Sequence, residues 1–290
     1  MRNEPDPVHD PGLPEMRVRE TMFAPYLHRW KLVPDGDPIM TPTSCLLPVL
    51  QDGSPMMLKI ARTGEERRGG ALMAWWGGEG AARVYAYDGT AFLLERATGT
   101  GSLTLMSRSG QDAEACRILC GAASRLHVPR HEPPPDLVPL AHWFEGLEPA
   151  AHAQGGILEH SLEAARFLFA SPEQAVVLHG DLHHGNVLDF EDRGWLAIDP
   201  KGLWGEREFD FANIFLNPDL VDPDCAVAVD QHRFTQRLMT ISTCAALDRR
   251  RLLLWILAWC GLSAAWLHED GKSASVSFRI AELAAAELNR

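Results

Sequence analysis

One polar loop constrains this chain more than any other part of its sequence. Residues 179 to 186 read HGDLHHGN and lie between the short apolar runs VVL and VL. Asp181 precedes Asn186 by five positions, and Asp199 ends the hairpin-like stretch VLDFEDRGWLAID that follows. The three histidines of the loop could bind a metal ion through their imidazoles. Alternatively, the aspartates and the asparagine could hold a reacting hydroxyl group and a Mg²⁺ ion bound to phosphate.

The spacing of these residues favours the second alternative. Phosphoryl transfer from ATP needs a lysine on the phosphates, carboxylate and amide ligands for Mg²⁺, and a carboxylate beside the attacking hydroxyl. In the protein-kinase signature, the catalytic aspartate precedes the Mg²⁺-binding asparagine by about five positions, and a second Mg²⁺-binding aspartate follows. Asp181, Asn186 and Asp199 match this order. Lys59, near the end of an upstream strand-like segment, matches the kinase lysine.

The sequence pattern changes near residue 97. Upstream, two apolar segments joined by QDGS indicate a hairpin over 44–61, and two short strands follow a helix-like segment at 65–76. Downstream, apolar residues recur at helical spacing except around the polar loop. The pattern therefore predicts an α+β fold with a small β-rich N-terminal lobe and a larger helical C-terminal lobe. The predicted divisions are a flexible leader at 1–29, a nucleotide-binding lobe at 30–97, and a catalytic and substrate-binding lobe at 98–290.

Composition and charge narrow the class of protein. The chain has 46% hydrophobic and 23% charged residues, which is typical of globular domains. Its formal net charge of −12 disfavours nucleic-acid and anionic-membrane partners and mildly favours a cationic ligand. The most apolar run, 252–267, has 16 residues and is shorter than the ~20 that a membrane span needs, so we expect a buried core helix. The six cysteines form no CxxC pair and the N-terminus carries charge throughout, so we expect buried free thiols and a cytoplasmic protein.

Longer segments around the loop resemble a known family. HGDLHHGNVL followed by LAIDPKGLWGEREFDFANIF is similar to the aminoglycoside phosphotransferases, whose members share the protein-kinase-like bilobal fold. RGWLAIDPKGL, WWGGEGAARV and GLSAAW are most similar to its streptomycin 6-phosphotransferase branch. The likeness runs from about residue 30 to the C-terminus. It implies ATP- and Mg²⁺-dependent phosphorylation of an aminoglycoside hydroxyl group, in this branch the 6-hydroxyl of streptomycin, which inactivates the antibiotic.

The resemblance also implies roles for single residues. Asp181 would accept or orient the proton of the attacking hydroxyl, and Asn186 and Asp199 would hold Mg²⁺ through hard oxygen ligands. Lys59 would contact the α- and β-phosphates and pair with a helix glutamate, which we expect to be Glu66, with Glu65 as the alternative. The segment before the lysine strand, TPTSCLLPV, lacks glycine, so backbone N–H groups and hydroxyls would bind the phosphates there. The hinge segment LLERA would read the adenine edge. The further nucleotide-binding residues are Thr43, Ser44, Glu95 and Ala97.

The histidines have structural and functional interpretations. A zinc site needs three or four nitrogen or sulfur ligands, and no partner motif accompanies the loop, which favours structural histidines. His179 would brace the loop backbone, and Asp210, at the start of a downstream helix, would anchor that backbone. His183 would line the substrate site, although His184 is an alternative for that role.

Charge and aromaticity suggest the remaining substrate-binding residues. Streptidine, a ring of streptomycin, carries two guanidinium groups, which pair well with carboxylates. Glu206 and Glu208 follow the loop and would supply those carboxylates. Trp204 lies on a loop and would stack on the ligand.

Three other functions remain compatible with the sequence. A related kinase with a different small-molecule acceptor would keep every catalytic residue. A nucleotide-binding pseudokinase scaffold would not need the intact set of Lys59, Asp181, Asn186 and Asp199. A histidine-ligated metallohydrolase would need tightly bound zinc.

Overall fold

The computed structural model describes residues 22–220, 222 and 226–290. They form two compact units. One unit contains the described residues up to Thr63 together with Tyr85–Arg96, and the other contains Gly64–Val84 together with the described residues from Ala97 onward. Of the predicted leader, residues 1–21 lie outside the described part of the chain, whereas residues 22–29 are helical (α1).

The first unit is built on a six-stranded sheet. The strands are β1 (Val33–Pro34), β2 (Ile39–Met40), β3 (Ser44–Gln51), β4 (Ser54–Ala61), β5 (Val84–Tyr87) and β6 (Ala91–Glu95). Their order is β1-β3-β4-β6-β5, and β2 pairs with β3. β3 and β4 form the predicted antiparallel hairpin around Asp52 and Gly53, whose φ angles are 49° and 80°. Two successive positive φ angles give the turn a twist that matches that of the strands.

Side chains along β4 alternate between the two faces of the sheet, so Lys59 and the core residues lie on opposite faces. Leu58 and Ile60 are buried in the hydrophobic core of this unit, where Phe23 of α1 packs with them. Because neighbouring residues of a strand point to opposite faces, Lys59 points to the other face of the sheet. It is partly buried there and pairs in register with Leu46 and Phe92.

Most of the second unit is helical. The helices after α1 are α2 (Gly64–Trp76), α3 (Leu103–Arg108), α4 (Asp112–Leu126), α5 (Leu140–Trp143), α6 (Leu147–Gln154), α7 (Ile157–Ala170), α8 (Phe209–Ala212), α9 (Gln231–Cys244), α10 (Arg249–Glu269) and α11 (Ser275–Leu288). α10 packs against α7 and α11. By length and composition α10 could cross a membrane, but 72% of its apolar window is buried in the structure, as we predicted for a core helix.

Short strands of the second unit carry the HGDLHHGN loop. They are β7 (Val138–Pro139), β8 (Ala175–Leu178), β9 (Val187–Asp189), β10 (Trp195–Ala197) and β11 (Leu203–Glu206). The loop connects β8, in the sheet β7-β11-β8, to β9, which pairs antiparallel with β10. α2 approaches the segment after β10 closely, because a Cβ atom at Gly69 would lie 2.1 Å from the Pro200 carbonyl oxygen. This close approach explains why a glycine stands inside the helix.

The cysteines follow the prediction in part. The described cysteines are free thiols, and Cys244 is exposed rather than buried. Cys225 lies outside the described residues. The buried thiols are Cys45, Cys116, Cys120 and Cys260.

Candidate active site

Asp210 anchors the start of the HGDLHHGN loop. This aspartate lies in α8 and is 1% exposed. Its carboxylate accepts hydrogen bonds from the backbone N–H groups of His179 (2.9 Å) and Gly180 (2.7 Å) and from His127 Nε2 (2.8 Å). Burial alone would raise the pKa of Asp210, but the hydrogen bond and charge of His127, together with His179 and the Gly180 N–H, outweigh it and the pKa is lowered. The geometry therefore agrees with the supporting role expected for Asp210.

His179 braces the same loop with both ring nitrogens. Nε2 donates to the Ile198 carbonyl oxygen at 2.8 Å, and Nδ1 accepts the Asp181 backbone N–H at 3.2 Å. The ring is fully buried and stacks on Trp76 with the centroids 6.3 Å apart. Burial lowers its pKa, in keeping with a neutral ring that donates from one nitrogen and accepts at the other. Both ring nitrogens of His179 are therefore engaged in hydrogen bonds, and its supporting role stays a prediction.

Asp181 occupies the centre of the site. Its Oδ1 accepts a hydrogen bond from Asn213 Nδ2 at 2.8 Å. Its Oδ2 lies 3.3 Å from Asn186 Nδ2 and 3.8 Å from Lys201 Nζ. Burial raises the pKa of Asp181 above its usual value, and His183 and Lys201 only partly offset this. A carboxylate with a raised pKa, held closely on one oxygen and more loosely on the other, is suited to accept a proton or hydrogen bond from a hydroxyl group.

Asn186 directly precedes β9, and Asp199 follows β10 by two residues, at the same end of this strand pair. Ile198 N–H donates to the Asn186 carbonyl oxygen at 2.9 Å, which extends the pairing of these strands toward Asp199. Asp199 has a φ angle of 62°, a left-handed conformation that non-glycine residues rarely adopt. The side chain of Asn186 donates through Nδ2 to the Asp181 carbonyl oxygen at 2.9 Å, so Oδ1 is its remaining ligand atom. An amide oxygen and a carboxylate are ligands that Mg²⁺ prefers, so this donor set fits the ion.

Lys201 is a cation of the site that the sequence analysis missed. Its Nζ lies 3.3 Å from Glu65 Oε1, near the start of α2, and its backbone N–H donates to the His179 carbonyl oxygen at 2.7 Å. Burial would lower the pKa of Lys201, but the carboxylates of Asp181, Asp199, Glu65 and Glu66 together outweigh it and raise the pKa. Lys201 therefore places a fixed positive charge beside Asp181. Its position two residues after Asp199, in DPKGL, is the signal that could have identified it.

The other two histidines of the loop differ from each other. His183 Nδ1 accepts the Gly185 N–H at 3.0 Å, and its Nε2 lies 3.8 Å from Asp181 Oδ1. His184 is 3% exposed, and neither of its ring nitrogens has a hydrogen-bond partner among the described residues. Burial lowers the pKa of both rings. Of the two, His183 is the one that lies beside the Asp181 carboxylate.

The positions of Glu206 and Glu208 revise the substrate role expected for them. Glu206 is 4% exposed, and its carboxylate accepts hydrogen bonds from Arg251, from Trp255 Nε1 (2.8 Å) and from the Glu173 N–H (3.2 Å). Glu208 is 6% exposed, and its Oε2 is buried without a hydrogen-bond partner among the described residues. A guanidinium group from solution would have to displace Arg251 or enter the core to reach them. We therefore assign both carboxylates to the fold.

Trp204 lies on β11 and is 45% exposed. It pairs in register with Val177 of β8 and borders a cavity of about 260 Å³ that Trp75 and His127 also line. Its exposure is compatible with stacking on a ligand, and that role stays a prediction.

The nucleotide-binding residues divide between the units. Thr43, Ser44, Lys59 and Glu95 belong to the first unit, and Ala97 belongs to the second. Ser44 is buried, and its backbone N–H donates to Thr41 Oγ1 at 2.9 Å, so a local turn precedes the lysine hairpin. Glu66 is 6% exposed in α2. Their roles toward ATP stay predictions.

Comparisons with known proteins identify the family and the fold of the chain. The model of the aminoglycoside/hydroxyurea antibiotic resistance kinase family matches residues 29–271. The chain is 53% identical over 245 residues to a streptomycin 3''-kinase of Klebsiella pneumoniae, covering 84% of this chain and 92% of the relative. It is 32% identical over 294 residues to a streptomycin 6-kinase of Streptomyces griseus, covering 93% and 88%. The solved structure of the amicoumacin kinase hAmiN, in complex with AMP-PNP, Ca²⁺ and Ami, aligns over 94% of each chain with a TM-score of 0.65 at 16% identity, which confirms the predicted protein-kinase-like α+β fold.

Proposed function

Because this chain belongs to the aminoglycoside/hydroxyurea antibiotic resistance kinases, we propose that it transfers the γ-phosphoryl group of ATP to a hydroxyl group of streptomycin. The observation that carries the chemistry is the environment of Asp181. Its Oδ1 is held by Asn213 at 2.8 Å, and its Oδ2 lies near Asn186 and Lys201. Oδ1 accepts the shorter hydrogen bond, and the longer contact at Oδ2 supports the proposal that Oδ2 receives the acceptor hydroxyl.

Each residue of the site has a defined task in this reaction. Asp181 orients the acceptor hydroxyl and takes its proton as the acceptor oxygen bonds to the γ-phosphorus, while the bond from that phosphorus to the β–γ bridging oxygen breaks and ADP leaves. Asn186 and Asp199 would hold Mg²⁺, which supplies charge neutralisation on the phosphates when bound. Lys201 adds a positive charge beside the attacking oxygen, where negative charge develops. Lys59 contacts the α- and β-phosphates.

The hydroxyl group that is modified distinguishes two versions of the proposal. The sequence favours the 6-hydroxyl, which agrees with the name of the relative that is 32% identical. The relative that is 53% identical is named for the 3'' position, on a different ring of streptomycin. Because the identity to the 3''-kinase is higher than the identity to the 6-kinase, the 3''-hydroxyl is the first candidate and the 6-hydroxyl is the second. We further propose that the protein acts in the cytoplasm, where ATP is available.

One experiment tests the acceptor and the position together. Purified protein, ATP and Mg²⁺ are incubated with streptomycin, with other aminoglycosides and with hydroxyurea, and ADP release is followed. We expect release that depends on streptomycin, and phosphorus–proton correlation NMR should then place the phosphate at position 3''. Phosphate at position 6 would restore the original prediction. Turnover of another compound without turnover of streptomycin would refute the acceptor, and the Asp181→Ala variant controls for contaminating kinases.

A further inference from the structure

Asn213 makes the shortest side-chain contact to the Asp181 carboxylate. It follows α8 immediately and is 5% exposed. Its Nδ2 donates to Asp181 Oδ1 at 2.8 Å, whereas Asn186 Nδ2 and Lys201 Nζ lie 3.3 Å and 3.8 Å from Oδ2. The two oxygens of Asp181 are therefore unequal, because one is bonded at normal hydrogen-bond length and the other is held more loosely.

Two further donors fix the orientation of the Asn213 amide. Its Oδ1 accepts hydrogen bonds from Trp259 Nε1 at 3.1 Å and from Asn217 Nδ2 at 3.2 Å. A rotated amide would turn its own N–H groups toward these two donors and its oxygen toward the Asp181 carboxylate. Donors would then face donors at Trp259 and Asn217, and an acceptor would face an acceptor at Asp181. These contacts would be repulsive, so the network allows only the orientation in which Nδ2 faces Asp181.

Trp259 is itself held in place by aromatic packing. It is 5% exposed in α10 and stacks on Trp143 with the centroids 6.3 Å apart and the planes inclined by 20°. Phe209 contacts it edge-on at 5.4 Å. Because aromatic side chains packed in this way lose their rotational freedom, the indole N–H has a fixed direction. Trp259 therefore fixes the orientation of the Asn213 amide, and this amide in turn fixes the orientation of the Asp181 carboxylate.

We propose that Asn213, oriented by Trp259, is a positioning residue that prevents rotation of the Asp181 carboxylate and keeps Oδ2 as the oxygen that receives the acceptor hydroxyl. This proposal rests on the phosphotransferase function proposed above. A carboxylate with both oxygens loosely held would sample several angles about its Cβ–Cγ bond. Because proton acceptance in the transition state depends on direction, such sampling would reduce turnover more than ATP binding.

The test combines two variants with one matched control. Asn213→Leu keeps the approximate size of the side chain and removes the donor, and Trp259→Phe removes only the N–H that orients the amide. Trp255→Phe is the control, because Trp255 lies one turn earlier in α10 and also packs against Phe209 (5.6 Å), but its Nε1 donates to Glu206 rather than to the loop. Each variant is purified, its melting temperature is measured, and kcat and the KM for ATP are determined below that temperature.

We expect a separation between turnover and binding. In Asn213→Leu, kcat should fall about 100-fold with the KM for ATP within about threefold. In Trp259→Phe, kcat should fall about fivefold, and the same change on the Asn213→Leu background should have almost no further effect, since it acts through Asn213. Trp255→Phe should lower the melting temperature to a similar extent as Trp259→Phe and leave kcat unchanged.

Three results would overturn the proposal. They are a kcat in folded Asn213→Leu close to that of the wild type, equal losses of kcat in Trp259→Phe and Trp255→Phe, and an undiminished effect of Trp259→Phe on the Asn213→Leu background. If Asn213→Leu does not fold, the comparison of the two tryptophan variants decides alone. A wild type that phosphorylates a different hydroxyl compound would refute streptomycin as the acceptor, and the same comparison would then be made with that compound.

Discussion

Replacing Asp210 by asparagine should weaken both the fold and the site. The Asp210 carboxylate accepts three hydrogen bonds, from the N–H groups of His179 (2.9 Å) and Gly180 (2.7 Å) and from His127 (2.8 Å). Asparagine has the same shape, but one of its two polar atoms is a donor. In either orientation this donor faces at least one of the three N–H groups, which is then left buried without an acceptor.

The expected loss follows from these contacts. A hydrogen bond to a charged group contributes about 1.5–3 kcal/mol, and a buried donor without a partner costs about 1–3 kcal/mol. Both figures include the loss of the same hydrogen bond and are therefore not simply added. We expect the free energy of unfolding to fall by about 2–4 kcal/mol. The variant should therefore remain folded at 25 °C, since domains of this kind have about 5–15 kcal/mol in total. The released N–H groups flank Asp181, so kcat should also fall, by up to about 100-fold.

Urea denaturation followed by tryptophan fluorescence measures the first effect, and steady-state kinetics measures the second. Asp192→Asn is the matched control, because Asp192 is exposed on the β9–β10 hairpin and should change stability by less than about 0.5 kcal/mol. If Asp210→Asn were as stable and as active as this control, the assignment of Asp210 as the loop anchor would be wrong.

The stability difference between the wild type and Asp210→Asn should also depend on pH, in a direction that follows from the pKa of Asp210. The pKa of Asp210 is lowered in the folded protein despite burial, chiefly by the hydrogen bond from His127. A carboxylate whose pKa is lower in the folded state contributes its full stabilisation above its pKa in the unfolded chain, about 3.9. This contribution is lost as the pH falls through its pKa in the folded protein. The stability difference between the wild type and Asp210→Asn should therefore be constant from neutral pH down to about 4 and shrink below it. A difference that grows on acidification would contradict this reasoning.

Three further predictions test neighbouring parts of the structure. Asp181→Ala should abolish most of kcat while ATP binding, measured by calorimetry, stays nearly intact; near-wild-type turnover would refute its role. Lys201→Met should lower kcat about 10- to 100-fold, and Lys201→Arg should restore part of it in the same kinetic assay. Asp112→Asn should reduce the free energy of unfolding in urea by about 3–5 kcal/mol, because it leaves the buried Arg237 guanidinium, bonded to Asp112 at 2.7 and 2.9 Å, without its counter-charge.

Features encoded by short-range spacing could be predicted from the sequence. The hairpin of β3 and β4 depends on a two-residue turn, and the alignment of Asp181, Asn186 and Asp199 depends on one loop and one strand pair. Within such distances along the chain, the backbone leaves few arrangements. The fold class and the three polar residues at the centre of the candidate site were therefore accessible from the sequence.

Contacts between distant segments were not accessible in the same way. His127 reaches Asp210 across 83 positions, and Trp259 reaches Asn213 across 46. No local pattern specifies these pairs, because they depend on how whole helices pack. Asn213 was not identified from the sequence, although it lies three residues after Asp210 and residues at that spacing share a helix face.

Burial explains why charge alone led to the assignment of Glu206 and Glu208 to substrate binding, which the structure revises. Glu206 and Glu208 were chosen because they are acidic and follow the loop, but a carboxylate can bind a cation from solution only where its oxygens are not already satisfied or enclosed. Arg251, 45 positions away, takes both oxygens of Glu206, and this partner is invisible to any local pattern. Asp181 is partly buried as well, yet only one of its oxygens has a short contact. Enclosure of Glu208, and the donors that take both oxygens of Glu206, therefore distinguish these two carboxylates from Asp181, the carboxylate that we propose to be catalytic.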